Sequence, residues 1–387
     1  MPLRSVGTWI DGMLRAMGRR GLAISSVLVA VLVGCGGDSE ITDTTSSGGP
    51  GASGSGAGST TGTGGDSGTG AGSSVGGQGG AGTGSGAGGM GSGGEGGAGQ
   101  GPEVIRFVAM GDGGEGNGTQ LQVAQMIDSE CTARGGCMFA LYLGDNIYDS
   151  GVSSSMDQQF QSKFEVPYAG LTFPFYITLG NHDYGGGGAG YQFYKGAYQV
   201  EYTIYSNKWH LPDYYYKESV TVEGSSLDLF SLDTNSIMYT GANAQKTWLQ
   251  QELAASTATW KIAFGHHTYV SNGQHGNAGT YEGLPGIPII SGGNVKSFID
   301  DAVCGHADVY IGRHDHNRQW LQPTCGTEFI VSGTAAKHTD LSPKGTPTFF
   351  ENDQTGGFLL VEIAGNTLTG WFYDENGTME YTRSVSK

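Results

Sequence analysis

The sequence predicts a layered α/β domain that closes in a β meander. Three observations carry this reading. Short apolar runs of strand length repeatedly end in a Gly followed by polar residues, stretches with helical spacing separate those runs, and residues 357–383 alternate between Gly-containing turns. Strands and helices in alternation each bury one face against the other, which is the layered solution.

The first run, 104–110 (VIRFVAM), leads into Gly111-Asp112-Gly113-Gly114. The second, 139–143 (FALYL), leads into Gly144-Asp145-Asn146-Ile147-Tyr148, and the third, 173–179 (FPFYITL), into Gly180-Asn181-His182-Asp183. Later, 260–264 (WKIAF) precedes Gly265-His266-His267, and 307–311 (ADVYI) precedes Gly312-Arg313-His314-Asp315-His316. All five runs deliver ligand-type residues at their carboxyl ends, where the sites of layered α/β folds lie, and a Gly lets the chain turn sharply beside a ligand. Helical spacing recurs at 119–131 (Leu121, Ala124, Ile127), 244–255 (Trp248, Leu249, Leu253) and 295–303 (Phe298, Ala302). Strand-like alternation follows at 357–362, 367–373 and 379–383, with turns at Gly365-Asn366 and Asn376-Gly377.

Composition sets the N-terminal region apart. With 72 glycines in 387 residues, the chain is not one ordinary globular domain. The region 36–103 is almost only Gly, Ser, Thr and Ala, with no periodic apolar residues to offset the entropy of ordering, and reads as a flexible linker. Residues 1–35 read as a lipoprotein signal peptide: Arg15, Arg19 and Arg20 precede an apolar run, 22–33, that is shorter than a membrane span and ends in Leu32-Val33-Gly34-Cys35. Small residues before a Cys resemble the lipobox of bacterial lipoproteins, which implies export and a lipid on Cys35 anchoring the chain to the cell envelope, at the outer membrane or cell surface. The remaining 104–387, about 280 residues, suffice for one large domain. A formal net charge of −17 excludes a nucleic-acid binder, which needs a basic stripe. It suits multivalent cations, whose ligands are carboxylates. Export permits disulfides, and nearest-neighbour pairing joins Cys131 to Cys137 and Cys304 to Cys325, although four cysteines allow three connectivities.

Gly-Asp-x-Gly, Gly-Asp-x-x-Tyr, Gly-Asn-His-Asp, a strand-end Gly-His and a closing His-x-His, in that order, resemble the pattern of purple acid phosphatases of the tartrate-resistant type, within the calcineurin-like metallophosphoesterases. The resemblance spans residues 104–387 and implies a four-layer α/β/β/α sandwich of two mixed sheets. It also implies a dinuclear metal centre. Asp112, Tyr148 and His316 would hold Fe(III), Asn181, His266 and His314 a divalent Fe, Zn or Mn ion, and Asp145 would bridge both. Carboxylate and phenolate are hard anionic ligands suited to ferric iron, whereas imidazole and an amide oxygen suit the divalent ion. His182 and His275 match positions that contact phosphate or the leaving group, and so are the implied catalytic residues. The implied activity is that of an acid phosphatase, monomeric, hydrolysing phosphate monoesters with a metal-activated hydroxide. Imidazolium at His182 and His275 would favour acidic pH. A phosphodiesterase or nucleotide hydrolase on the same metal core is one alternative, and a non-catalytic surface protein that kept the fold is another.

Two residues depart from the family pattern. Arg313 stands where a Gly usually precedes the His-x-His, and His267 stands where an aromatic residue precedes Pro. From the sequence, Arg313 either clamps a substrate phosphate or turns outward. Tyr191, Phe193, Tyr194 and Tyr198 either line an entrance or pack a helix.

Overall fold

The computed structural model describes residues 104–283 and 288–387. The leader, the linker and Cys35 lie outside the described residues. Strands β1 (Ile105–Met110), β2 (Phe139–Tyr142), β3 (Phe175–Ile177) and β4 (Trp209–His210) run parallel in one sheet. The meander β12 (Gly357–Ala364), β13 (Thr367–Asp374) and β14 (Met379–Ser386) extends it antiparallel from the free edge of β1, giving seven strands. The second sheet also has seven strands. Its centre is β6 (Ser225–Leu232), β7 (Trp260–His267), β8 (Val309–Arg313) and β10 (Glu328–Ser332), all parallel. Antiparallel β5 (Tyr216–Val222) flanks one side, and β9 (Arg318–Leu321) with β11 (Thr348–Asn352) the other.

The period of two along each strand explains the layering. Ile105, Phe107 and Ala109 of β1 face Leu227, Leu229, Ile262, Phe264, Val309 and Ile311 of the other sheet in a dry middle layer. Each Ile, Leu or Phe buried there contributes about 2 kcal/mol. The alternate residues Val108 and Met110 pack outward on Val123, Ala124 and Ile127 of α1 (Gly118–Ala133). On the far side Phe230, Leu232, Ala263 and Tyr310 pack under α3 (Thr234–Thr240), α4 (Asn243–Ala255) and α6 (Gly293–Ala302). The expected four-layer α/β/β/α sandwich of two mixed sheets is therefore the observed one. Two further α-helices, α2 (Tyr194–Tyr202) and the short α5 (Pro288–Ser291), with a π-helical turn at Gln161–Glu165 and a 3-10 turn at Tyr281–Gly283, complete the set among the described residues.

Local chemistry fixes the element ends. Asn117 caps α1 by accepting from the Gln120 amide at 3.0 Å, and Asp233 caps α3 by accepting from Ser236 at 2.9 Å. Both nearest-neighbour disulfides are present, Cys131–Cys137 and Cys304–Cys325. The strand at 175–177 is shorter than its apolar run, because Pro174 just before it has no N–H to donate. Phe193 packs on Tyr184 and Tyr239, whereas Tyr191 and Tyr194 are exposed, so the aromatics before and within α2 are only partly a packed face.

Candidate metal centre

Strand ends from both sheets meet at one edge of the middle layer. Asp112 follows β1, Asp145 and Tyr148 follow β2, and Asn181 and His182 follow β3; His266 lies at the end of β7, and His314 and His316 follow β8. Asp112, Asp145 and His314 hold left-handed backbone, with φ of 60°, 46° and 80°. Such conformations are uncommon outside Gly and persist where the surrounding structure over-determines them. Beside them Gly180 is obligatory in a simple sense: a Cβ there would overlap Asp145 Oδ1.

The residues predicted as ligands form two adjoining groups. In one, His266 Nε2 lies 2.6 Å from Asn181 Oδ1 and 3.0 Å from His314 Nδ1. In the other, Tyr148 Oη contacts Asp112 Oδ1, and His316 Nε2 lies 3.1 Å from the same oxygen. Asp145 stands between them, its Oδ2 3.1 Å from Tyr148 Oη and 3.7 Å from His266 Nε2. Its Oδ1 accepts from the His182 amide at 2.8 Å. Burial pushes the pKa of His266, His314 and His316 down, so all three are neutral and carry a lone pair. Burial pushes the Asp145 and Asp183 carboxyls up, and the charge of Asp145 adds to the rise at Asp183.

His182 and His275 border these groups from opposite sides. The His182 ring packs on Tyr148 with centroids 4.5 Å apart, and its Nδ1 is 2.7 Å from the Asp149 carbonyl. His275 stacks on His314 at 3.9 Å, and its Nδ1 contacts Glu282. Burial lowers the His275 pKa, but the hydrogen bond to Glu282 and the charges of Asp315, Glu282 and Asp145 together outweigh it, so the net shift is upward.

A model of the calcineurin-like phosphoesterase family matches residues 105–318 of the 387. The chain belongs to the calcineurin-like phosphoesterase family. It is similar to tartrate-resistant acid phosphatase type 5 of Rattus norvegicus, at 28% identity over 284 residues covering 65% of this chain and 80% of the rat protein. In fold it is similar to GAP50, the anchor in the inner membrane complex of Plasmodium, with TM-score 0.59, 20% identity and coverage of 73% of this chain and 89% of that one. It is also similar in fold to the purple acid phosphatase PPD1 of Lupinus luteus seeds, with TM-score 0.52, 17% identity and coverage of 73% and 54%.

By donor type, the site of this phosphoesterase fits two cations: carboxylates and a phenol on one side, imidazoles and an amide oxygen on the other. The Asn181 amide is already turned the right way, since its Nδ2 donates to the Gly188 carbonyl at 2.7 Å and leaves Oδ1 facing His266. Asp112 Oδ2 is buried without a hydrogen-bond partner, as an oxygen reserved for a further ligand is.

Sequence reasoning gave three further residues no role. Asp183 is buried and accepts from the Gly180 amide at 2.8 Å, the Asn146 amide at 2.9 Å, Asn146 Nδ2 at 3.1 Å and Gln199 Nε2 at 2.9 Å, tying the β2 and β3 loops together. Asp315 accepts from the His275 and Gly276 amides at 2.7 and 3.2 Å and so sets the loop that carries His275. Lys337 lies over the Tyr148 ring, 3.8 Å from its centroid, and pairs with Glu115 at 3.3 Å. His267, the other departure from the pattern, is buried beside His266 and His314, with Nδ1 2.9 Å from Thr234 Oγ1.

Arg313 enters this site. It is the last residue of β8 and pairs with His267 of β7. The pleat puts residues 309, 311 and 313 on one face, the face toward the middle layer, so the side chain runs between the sheets and over Gly111, where a Cβ would overlap its Cδ. Its guanidinium contacts Asp112 Oδ1 and lies 2.5 Å from Asp145 Oδ2. Its Nε is 2.8 Å from His266 Nδ1 and 3.1 Å from the Leu143 carbonyl. The outward alternative is thereby excluded.

Proposed function

We propose that this phosphoesterase is a two-metal acid phosphatase that hydrolyses phosphate monoesters. The observation that carries the proposal is the position of Asp145 between two groups of donors, each completed from both sheets. In this reading Asp112, Tyr148 and His316 hold Fe(III), Asn181, His266 and His314 hold a divalent Fe, Zn or Mn ion, and Asp145 serves both. Bound there, the two cations supply Lewis-acid charge to the phosphate and acidify a water. The protein's own part is to orient. His182 is fixed through Nδ1 on the Asp149 carbonyl, and His275 through Nδ1 on Glu282, so each keeps Nε2 for a phosphate oxygen or the leaving alcohol.

Simple monoesters are expected to turn over faster than diesters or nucleotides, and chelation to abolish the rate until iron and a divalent ion are returned. His275→Ala is expected to keep its metal while kcat falls by about 10²-fold or more. Faster turnover of diesters would transfer the assignment to a phosphodiesterase, and no turnover of any ester by the metal-loaded protein would leave only the fold.

We also propose that the chain is exported and held by a lipid on Cys35. The leader and linker composition support this, as do two disulfides of the kind that persist in oxidising compartments. Expressed in a bacterium, the full chain is expected in the membrane fraction and acylated, with Cys35→Ala released. A soluble, unacylated native protein would overturn the anchor.

A further inference from the structure

A metal ligand must present a lone pair, and a histidine ligand does so when its other ring nitrogen carries the proton. Arg313 offers the opposite arrangement. Its single Nε–H faces both His266 Nδ1, at 2.8 Å, and the Leu143 carbonyl, at 3.1 Å. When that hydrogen points at Nδ1, the His266 proton sits on Nε2 and faces Asn181 Oδ1 at 2.6 Å. In that arrangement two of the three donors expected for the divalent ion, His266 and Asn181, are spent on each other. On the carboxylate side, Tyr148 Oη donates to Asp112, and the guanidinium contacts Asp112 and Asp145, using oxygens that the ferric ion would need.

We propose that Arg313 is a built-in cation that competes with metal for the carboxylates of Asp112 and Asp145. The inference rests on reading this site as a two-metal centre. Its physical basis is charge: a guanidinium between two buried carboxylates supplies the neutralisation that a metal otherwise provides, and like charge a few ångströms away then weakens a metal that enters beside it. Metal loading requires the guanidinium to withdraw, which frees the Leu143 carbonyl for His266 Nδ1–H and leaves Nε2 with its lone pair. A protein of this kind is stable without metal and fills its centre only when metal is abundant.

The test compares wild type with Arg313→Gly and Arg313→Lys, reading bound metal by elemental analysis after dialysis against a graded chelator, and Tm with and without chelator. Wild type is expected to lose metal readily with little change in Tm. Arg313→Gly is expected to hold two ions at least about a hundredfold more tightly, and to lose Tm when they are removed, because Asp112 and Asp145 are then left without a cation. Arg313→Lys, which keeps a charge but has no Nε to donate to His266, should fall between them. If wild type keeps two ions as tightly as Arg313→Gly, the inference fails and the two-metal reading survives. If neither binds metal, the two-metal reading fails and the inference with it. Should Arg313→Gly not fold, wild type still decides the matter, since tight retention of two ions through chelation overturns the proposal and easy loss at constant Tm upholds it.

Discussion

Asp145→Asn is expected to lose bound metal and phosphatase activity together, with kcat/KM lower by about 10³-fold or more. The substitution preserves shape, and the His182 amide can still donate at Oδ1. What it removes is the charge between Tyr148 Oη, 3.1 Å away, and His266 Nε2, 3.7 Å away. A carboxylate can serve two cations at once because each oxygen carries half of a full charge, whereas an amide offers one neutral oxygen. Every other proposed ligand belongs to a single group, so its loss weakens one position, and this one weakens both. Elemental analysis and steady-state kinetics on the same preparation check the expectation, and a variant with wild-type metal content and rate would place the reaction elsewhere on the molecule.

Asp183→Ala is expected to destabilise the domain by about 3–5 kcal/mol, since it strands several buried donors at once. The Gly180 and Asn146 amides and the side chains of Asn146 and Gln199 all converge on this carboxylate. Each is closed off from water, so none recovers its hydrogen bond in the variant. For a domain of this size the loss corresponds to a fall in Tm of about 10 °C. The loops holding Asp145 and Asn181 lose their common tie, so metal affinity should fall as well. A thermal melt within about 2 °C of wild type would show that these donors find other acceptors.

What the sequence conveyed, and what it concealed, follows from the range of each signal. The five strand ends were legible because a short apolar run, a Gly and a polar cluster are all local. Both disulfides were legible because each partner is the nearest cysteine in sequence. Strand β9 was hidden by its content: Arg and Gln are residue types usually found at the surface, yet Arg318 and Gln319 are both buried, Arg318 on Glu380 and Thr334 and Gln319 on Asn317 and Ser271. Apart from Asn317, two residues from Gln319, those partners lie 16 to 62 residues away in sequence, beyond any local pattern. The direction of Arg313 was within reach, because counting by twos from Val309 and Ile311 puts it on the inward face. Read as a missing Gly, it left a substrate clamp and an outward turn as the alternatives, whereas its guanidinium reaches Asp112 and Asp145. Asp183 was quoted within its motif but given no role, because what it does depends on Gln199 and the β2 loop.

Neither group of donors is complete within a single sheet. Asn181 comes from one sheet and His266 and His314 from the other; Asp112, Asp145 and Tyr148 come from one and His316 from the other. Apart from Arg313 and a few hydrogen bonds such as those from Ser332 Oγ to the Ala109 carbonyl and from Thr178 Oγ1 to the Leu232 carbonyl, the side chains between those sheets are apolar and attract without direction. The gap across which the donors face each other is therefore gauged by the bulk of Phe107, Phe264, Ile262 and their neighbours, much as a spacer sets the opening of a pair of jaws. A greasy layer with no chemistry of its own thus sets the fine adjustment of the polar one.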